Sequence, residues 1–161
     1  MPGRPSKQGC ATMNRIKIYL DTSVISALFD DRTPERKAMT IAAWDKLVAN
    51  DVYISDVVLD EVKMSSQPLR ERMLKCSQGF SLLPVNNSAI ELAQRYVLQG
   101  IFPESYFDDA LHVAIASVHG IGYVLSWNFK HLVKVKTRRM VALANTLAEY
   151  GPVEIVAPPE L

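Results

Sequence analysis

Cysteine is close to absent from this sequence: there are two in 161 residues, and one of them, Cys10, lies in a polar N-terminal stretch. A pair placed in this way makes no disulfide framework, so the chain reads as one of a reducing, cytoplasmic compartment. Long hydrophobic runs are lacking too. None reaches the roughly 18 to 20 residues that a membrane-spanning helix requires, which excludes a membrane span. An excess of charge of one sign is likewise missing: 18 Lys and Arg stand against 17 Asp and Glu, a formal net charge of +1. Any affinity for nucleic acid must come from a local patch rather than from the whole surface. No internal repeat, low-complexity tract or composition shift marks a second domain, and the length allows one domain with a core of its own. Met1–Thr12 has basic residues but no apolar segment, which excludes a secretory signal. We expect a flexible leader over 1–12, with Met13 as the candidate start, ahead of a domain over 13–161.

What is present is an alternation of short apolar strands and helices. A first strand, Ile16–Leu20, ends at Asp21-Thr22-Ser23, ahead of a short helix over Val24–Phe29. Thr33 as cap and Pro34 at the first helical position open a second helix. Val52–Ser55 forms the next strand, followed by a helix with Asp56 as its cap and Val57, Val58, Glu61 and Val62 along it. Ser65–Pro68 breaks that helix, and a more charged one runs to Ser77. A strand over Phe80–Val85 and a capping box at Ser88 and Glu91 lead into a helix that stops near Gly100. The remainder predicts a helix over Tyr106–His119, a strand over Tyr123–Ser126, a helix over Thr137–Tyr150 and a strand over Val153–Val156. This order predicts βαβ units: a single three-layer α/β/α domain with a five-stranded, mostly parallel sheet.

In such a sheet, ligands collect beyond the carboxyl ends of the strands. That rule selects Asp21, Thr22 and Ser23 after the first strand, Asp56 and Glu61 after the second, and Ser126, Trp127 and Asn128 after the fourth. Asp108 and Asp109 open the helix before the fourth strand. Carboxylates packed together repel unless they share a proton or a cation. A hard cation with oxygen ligands, Mg²⁺ or Mn²⁺, relieves the repulsion, polarises a phosphoryl oxygen and activates water. Blander roles compete: Asp21, Thr22, Ser23 and Asp56 are good helix caps, and Asp30-Asp31 reads as a solvated loop. His112 and His119 have no metal-ligand partner at a convincing spacing, and His131 reads as structural. Adjacent helical positions point about 100° apart, so one of Asp108 and Asp109 faces the site.

Four blocks in order resemble the PIN-domain family, and VapC-like toxins in particular. They are Tyr19-Leu20-Asp21-Thr22-Ser23-Val24-Ile25-Ser26, Asp56-Val57-Val58-Leu59-Asp60-Glu61, Asp109-Ala110-Leu111-His112-Val113-Ala114 and Ser126-Trp127-Asn128-Phe129-Lys130-His131-Leu132. The resemblance implies an Mg²⁺- or Mn²⁺-dependent endoribonuclease, the toxin of a type II toxin–antitoxin pair, with RNA as substrate. A small cognate antitoxin is the implied partner, and homodimerisation is common in the family; the Arg70–Lys75 face is a candidate for it. It implies Asp21, Glu61 and Asp109 as metal ligands, with Thr22 or Ser23 orienting metal or phosphate. Asp109 is preferred to Asp108 because the Asp-Ala-Leu-His phrase fixes the register. At the fourth acidic position this sequence has Asn128, which keeps a carbonyl oxygen but loses the charge. We expect retained activity with weaker support for a second metal.

Lys130, Lys134, Lys136, Arg138 and Arg139 supply a local basic patch for RNA, with a solvated loop and helix face as the bland alternative. Trp127 is placed either to stack on a base or to anchor the loop in the core. The rival functions are a catalytically weakened RNA- or metal-binding module, a PIN nuclease in RNA processing outside toxin–antitoxin systems, a phosphotransfer enzyme and a structural interaction protein. A phosphatase with an aspartyl nucleophile calls for a second Asp where Ser23 stands, which argues against the phosphotransfer reading.

Overall fold

A computed structural model describes residues 14–161; the expected leader over 1–12 and the start at Met13 lie outside the described residues. Its strands are β1 (Lys17–Leu20), β2 (Asp51–Ser55), β3 (Ser81–Leu83), β4 (Tyr123–Leu125) and β5 (Glu154–Val156). Its α-helices are α1 (Thr22–Ala27), α2 (Pro34–Val48), α3 (Asp56–Lys63), α4 (Leu69–Ser77), α5 (Asn87–Leu98), α6 (Phe107–Val118) and α7 (Val135–Leu147). The strands form one sheet in the order β3-β2-β1-β4-β5, and every pairing is parallel.

This order positions the site. From β1 the chain steps outward to β2 and β3, then returns to place β4 on the other side of β1. Right-handed crossovers put helices on opposite faces when the direction of travel reverses. Accordingly α1, α3 and α4 pack together on one face, whereas α5 packs with α6 and α7 on the other. The reversal makes the carboxyl ends of β1 and β4 the switch point at which ligands collect in such sheets. The register Leu20↔Leu125 sets Asp21 and Ser126 side by side there.

β1 is the central strand, and Ile18, Tyr19 and Leu20 are fully buried. Helix α6 is the most enclosed, buried without interruption from Ala110 to Ser117. An apolar helix of this kind belongs between a sheet and another helix layer, not at the surface.

The element boundaries differ from the sequence expectation in instructive places. Helix α5 is capped by Asn86, whose Oδ1 accepts from the Ala89 amide at 2.9 Å, and not by a Ser88–Glu91 box. Both residues suit the cap chemically, and the exit of the chain from β3 selects the earlier one. Helix α7 starts at Val135, two residues before Thr137, and ends at Leu147. Thr137 is buried and donates its hydroxyl to the His131 carbonyl at 3.1 Å, so it ties the preceding loop to the helix.

Candidate active site

Asp21 stands in the N-cap position of α1, yet its side chain caps nothing. Its Oδ2 instead accepts hydroxyl hydrogen bonds from Ser23 at 2.6 Å and Ser126 at 2.7 Å. The carboxylate is 4% exposed, so these bonds replace water that burial removed. The two serines are themselves held: Ser23 Oγ accepts from the Trp127 amide and Ser126 Oγ from the Asn128 amide, each at 2.9 Å. Asp21 is thus pinned between β1 and the loop after β4. The strand-end rule selected Ser126 by position but gave it no role, since a serine there carries no further signal until its cross-strand neighbour is known. Thr22, by contrast, has a buried hydroxyl with no protein partner. Of the two candidate residues after the first acid, Ser23 is the one that orients it.

Glu61, on α3, brings a donor atom within 4.8 Å of Asp21 and His112, and Asp109, in the first turn of α6, stands outside that group but within reach of the charges of Asp21 and Glu61. Asp108 is exposed, while Asp109 is half-buried. Burial and the negative charges of Asp21 and Glu61 push the Asp109 carboxyl up to about 6, against a lesser lowering by His112 and Asn128. A carboxylate raised by burial and by like charges is one whose ionised form a bound cation would stabilise. Asp56 lies outside the cluster, exposed at the start of α3, where the helix dipole favours an acid.

The sequence reading set His112 aside, and the structure does not. Its ring is fully buried, with Nε2 at 2.5 Å from Glu61 Oε1 and 3.4 Å from Asp21 Oδ1. The partners come from β1 and α3, distant in sequence, so no local spacing could reveal them. Burial favours the neutral imidazole, but the Tyr19 oxygen, the Glu61 hydrogen bond and the nearby carboxylate charges prevail and hold its pKa well above the usual histidine value.

Asn128 uses both ends of its side chain. Nδ2 donates to Asp109 Oδ2 at 3.3 Å, and Oδ1 accepts from the His131 amide at 3.0 Å. It therefore orients Asp109 and folds its own loop. An Asp here would have no hydrogen to donate to Asp109 and would add a further negative charge.

Trp127 is 6% exposed, and its indole donates to Thr40 at 2.8 Å, so it anchors the loop and has no open face for a base. The aromatic surface beside Asn128 is Phe129, 48% exposed, with the Arg36 guanidinium 5.9 Å from its ring centre. The basic patch divides. Lys130, Lys134 and Lys136 line one groove between the end of α5 and the start of α7. Arg138 turns away to pair with Glu160 at 3.0 Å, and Arg139 is exposed. On α4, Glu71, Arg72 and Lys75 are exposed and charged, so that face offers little apolar surface to a second copy.

The family model described as the PIN domain matches residues 18–128 of this chain. That stretch holds β1, α3, the start of α6 and Asn128. The chain belongs to the PIN domain family. As a PIN domain it is similar to the solved FitAcB of Neisseria gonorrhoeae, at 19% identity and a TM-score of 0.59, over 89% of this chain and 99% of that one. It is similar to VapC20 of Mycobacterium tuberculosis, described as a sarcin–ricin loop cleaving toxin, at 18% identity and a TM-score of 0.54, over 85% and 98% of the two chains. A third PIN-like fold is VapBC2 of Rickettsia felis, solved bound to a DNA fragment from its promoter, at 12% identity and a TM-score of 0.53, over 88% and 98%. No curated protein matches. No helix among the described residues is long and apolar enough to cross a membrane.

Proposed function

We propose that this PIN domain is a divalent-metal-dependent endoribonuclease, the toxin of a type II toxin–antitoxin pair. The observation that carries the reading is that donor atoms of Asp21 and Glu61, from separate elements, gather with His112 within 4.8 Å, and that Asp109 stands near enough for both acids' charges to add to burial in pushing its carboxyl up to about 6. A donor set of carboxylate oxygens with uncompensated charge fits Mg²⁺ or Mn²⁺ better than a softer ion. Asp21, Glu61 and Asp109 would hold the cation, which supplies polarisation of a phosphoryl oxygen and activation of water near neutral pH.

The chain's own residues prepare that chemistry. Ser23 and Ser126 fix Asp21 by hydrogen bonds to one oxygen, Oδ2, and leave Oδ1 for the cation. Asn128 holds Asp109, and because its own Oδ1 is engaged by the His131 amide it acts as an orienting residue rather than a fourth ligand. One cation is sufficient for a cluster so composed.

Lys130, Lys134 and Lys136 lie on the loop and helix that follow Asn128, placed to track the phosphates of a strand entering the site. RNA is our reading of that strand, in line with the similar VapC20, which is described as a sarcin–ricin loop cleaving toxin. The similarity to VapBC-5 of Mycobacterium tuberculosis, described as a member of a toxin–antitoxin family, favours a small antitoxin as partner. The cytoplasm is the matching compartment, and a second copy of the chain the matching assembly.

The test is cleavage of labelled RNA by purified protein with Mg²⁺, with Mn²⁺ and with chelator. Cleavage should require metal and vanish in Asp21→Asn. Full activity in chelator, or an Asp21→Asn variant as active as the parent, would refute the reading. Expression alone should arrest growth, and co-expression of the adjacent small gene should relieve it.

A further inference from the structure

Donor atoms of Asp21, Glu61 and His112 lie within 4.8 Å of one another. That leaves two roles for the imidazole: ligand to the cation, or brace on a carboxylate. The distances separate them. His112 Nε2 is 2.5 Å from Glu61 Oε1. Ligands at neighbouring corners of a Mg²⁺ octahedron, with bonds of about 2.1 Å, stand about 3.0 Å apart. A nitrogen lone pair aimed at a carboxylate oxygen at the shorter distance would be repelled, so Nε2 carries a hydrogen and donates it. Imidazole is also a poorer match than oxygen for a hard cation.

Something must hold the ring in that orientation. His112 Nδ1 is 2.6 Å from the Tyr19 hydroxyl, which is 2.7 Å from Ser55 Oγ. Tyr19, Ser55 and His112 are each 0% exposed, so water does not compete for these bonds. We propose that Tyr19 is a positioning residue of this site: its hydroxyl, backed by Ser55, holds the His112 ring with Nε2–H on Glu61, so that His112 braces Glu61 for the cation and does not ligate it. The proposal rests on the metal-nuclease reading above.

The hydrogen-bond directions are consistent in both charge states. With a neutral ring, Ser55 donates to Tyr19, Tyr19 donates to Nδ1, and Nε2–H donates to Glu61. With a charged ring, Nδ1–H donates to Tyr19 and Tyr19 donates to Ser55, while Nε2–H is unchanged. Neither state leaves a lone pair on Nε2. Removing the Tyr19 hydroxyl deprives Nδ1 of its partner, and the ring is then free to turn over. Partners that orient ligand-bearing groups in this way typically affect metal affinity by about 10- to 100-fold.

The experiment uses histidine labelled with nitrogen-15, in the full-length parent, Tyr19→Phe and Ser55→Ala. Imidazole spectra are recorded without metal and with Mg²⁺, and Mg²⁺ affinity is measured by calorimetry on the same samples. In the parent, His112 should keep a protonated Nε2 when Mg²⁺ binds. In Tyr19→Phe the ring should lose its single orientation, read as doubled or broadened imidazole signals, and the Mg²⁺ affinity should fall about tenfold or more. Ser55→Ala should shift both readouts the same way by less, and it decides alone if Tyr19→Phe does not fold. Loss of the Nε2 proton on Mg²⁺ binding would overturn the proposal by making His112 a ligand. So would unchanged imidazole signals and affinity in the variants. A parent that binds no Mg²⁺ at all would refute the metal reading instead, and the metal-free spectra of parent and variants would then test the Tyr19 brace separately.

Discussion

Two buried polar networks hang from helix α6, and they are built to opposite ends. One joins Tyr96 of α5, Ser117 of α6 and Asn145 of α7. Tyr96 donates to Asn145 Oδ1, Asn145 Nδ2 donates to Ser117 Oγ at 2.9 Å, and Ser117 donates to the Val113 carbonyl at 2.8 Å. Its members are neutral and supply one another's donors and acceptors, with burial keeping Tyr96 protonated. The other runs from Ser55 through Tyr19 and His112 to Glu61 and Asp21, with Asp109 beside it and under the charge of both acids. His112 and Ser117 are five residues apart on α6, about 140° around the helix, so one helix serves both. The closed network is a device for stability. The open one keeps charge that the fold alone does not balance, which is the usual cost of a functional site.

The sharpest way to break this comparison is to remove charge from the open network. Asp109→Asn should cut metal-dependent cleavage by about 10²- to 10³-fold, the loss of several kcal/mol of cation-mediated stabilisation. The same variant should leave the metal-free melting temperature unchanged or raised, because a repelling charge is gone. Calorimetry beside a cleavage assay checks both halves.

Asn145→Ala should do the reverse. It leaves Tyr96 and Ser117 short of a partner, at a cost of about 1 to 3 kcal/mol, and should lower the melting temperature while cleavage per folded molecule stays at the parental level.

A third test is pH. The Asp109 carboxyl is raised from 3.8 to about 6 in the fold, so the metal-free folded state holds a proton that the unfolded chain has already released. Stability should therefore fall as pH rises from about 4 through about 6, for this group, and the fall should be absent in Asp109→Asn. Mg²⁺ affinity should rise over the same interval as the proton is displaced. Denaturant titrations at pH 5 and pH 7 with and without Mg²⁺ read this directly.

The smallest effect is expected outside both networks. Lys134→Gln should weaken RNA binding by a catalytically inactive Asp21→Asn protein, and should reduce the salt dependence of that binding by about one counterion. It should alter neither stability nor metal affinity. An unchanged salt slope would remove Lys134 from the RNA path.

How much of this was legible beforehand depended on whether a signal was local. The alternation of apolar strands with helices gave the layered sheet, because strand and helix periods are written in consecutive residues. Asp21 was identifiable from its place after an apolar strand, and the Asp-Ala-Leu-His phrase separated Asp109 from Asp108. Ser126 was selected by its place after a strand, but its role was not legible, since that role is a bond to Asp21 across 105 positions of sequence. His112 was misjudged for the same reason: its partners Glu61 and Tyr19 lie 51 and 93 positions away. Trp127 was left open between stacking and anchoring, and the decision belonged to Thr40 on another helix. The basic run from Lys130 to Arg139 read as one patch, but Glu160 at the far end of the chain removes Arg138 from it.

By itself, then, the sequence determined the class of fold and the family, and singled out the acids proposed to hold a cation, because hydrophobic period and short motifs are properties of neighbouring residues. Only the tertiary structure decided which hydroxyl orients Asp21, which ring braces Glu61, and that Asn128 serves Asp109 by donating a hydrogen bond. Those are questions of direction and distance between elements far apart in the chain. They are settled at the carboxyl ends of β1 and β4, where α3 and α6 meet.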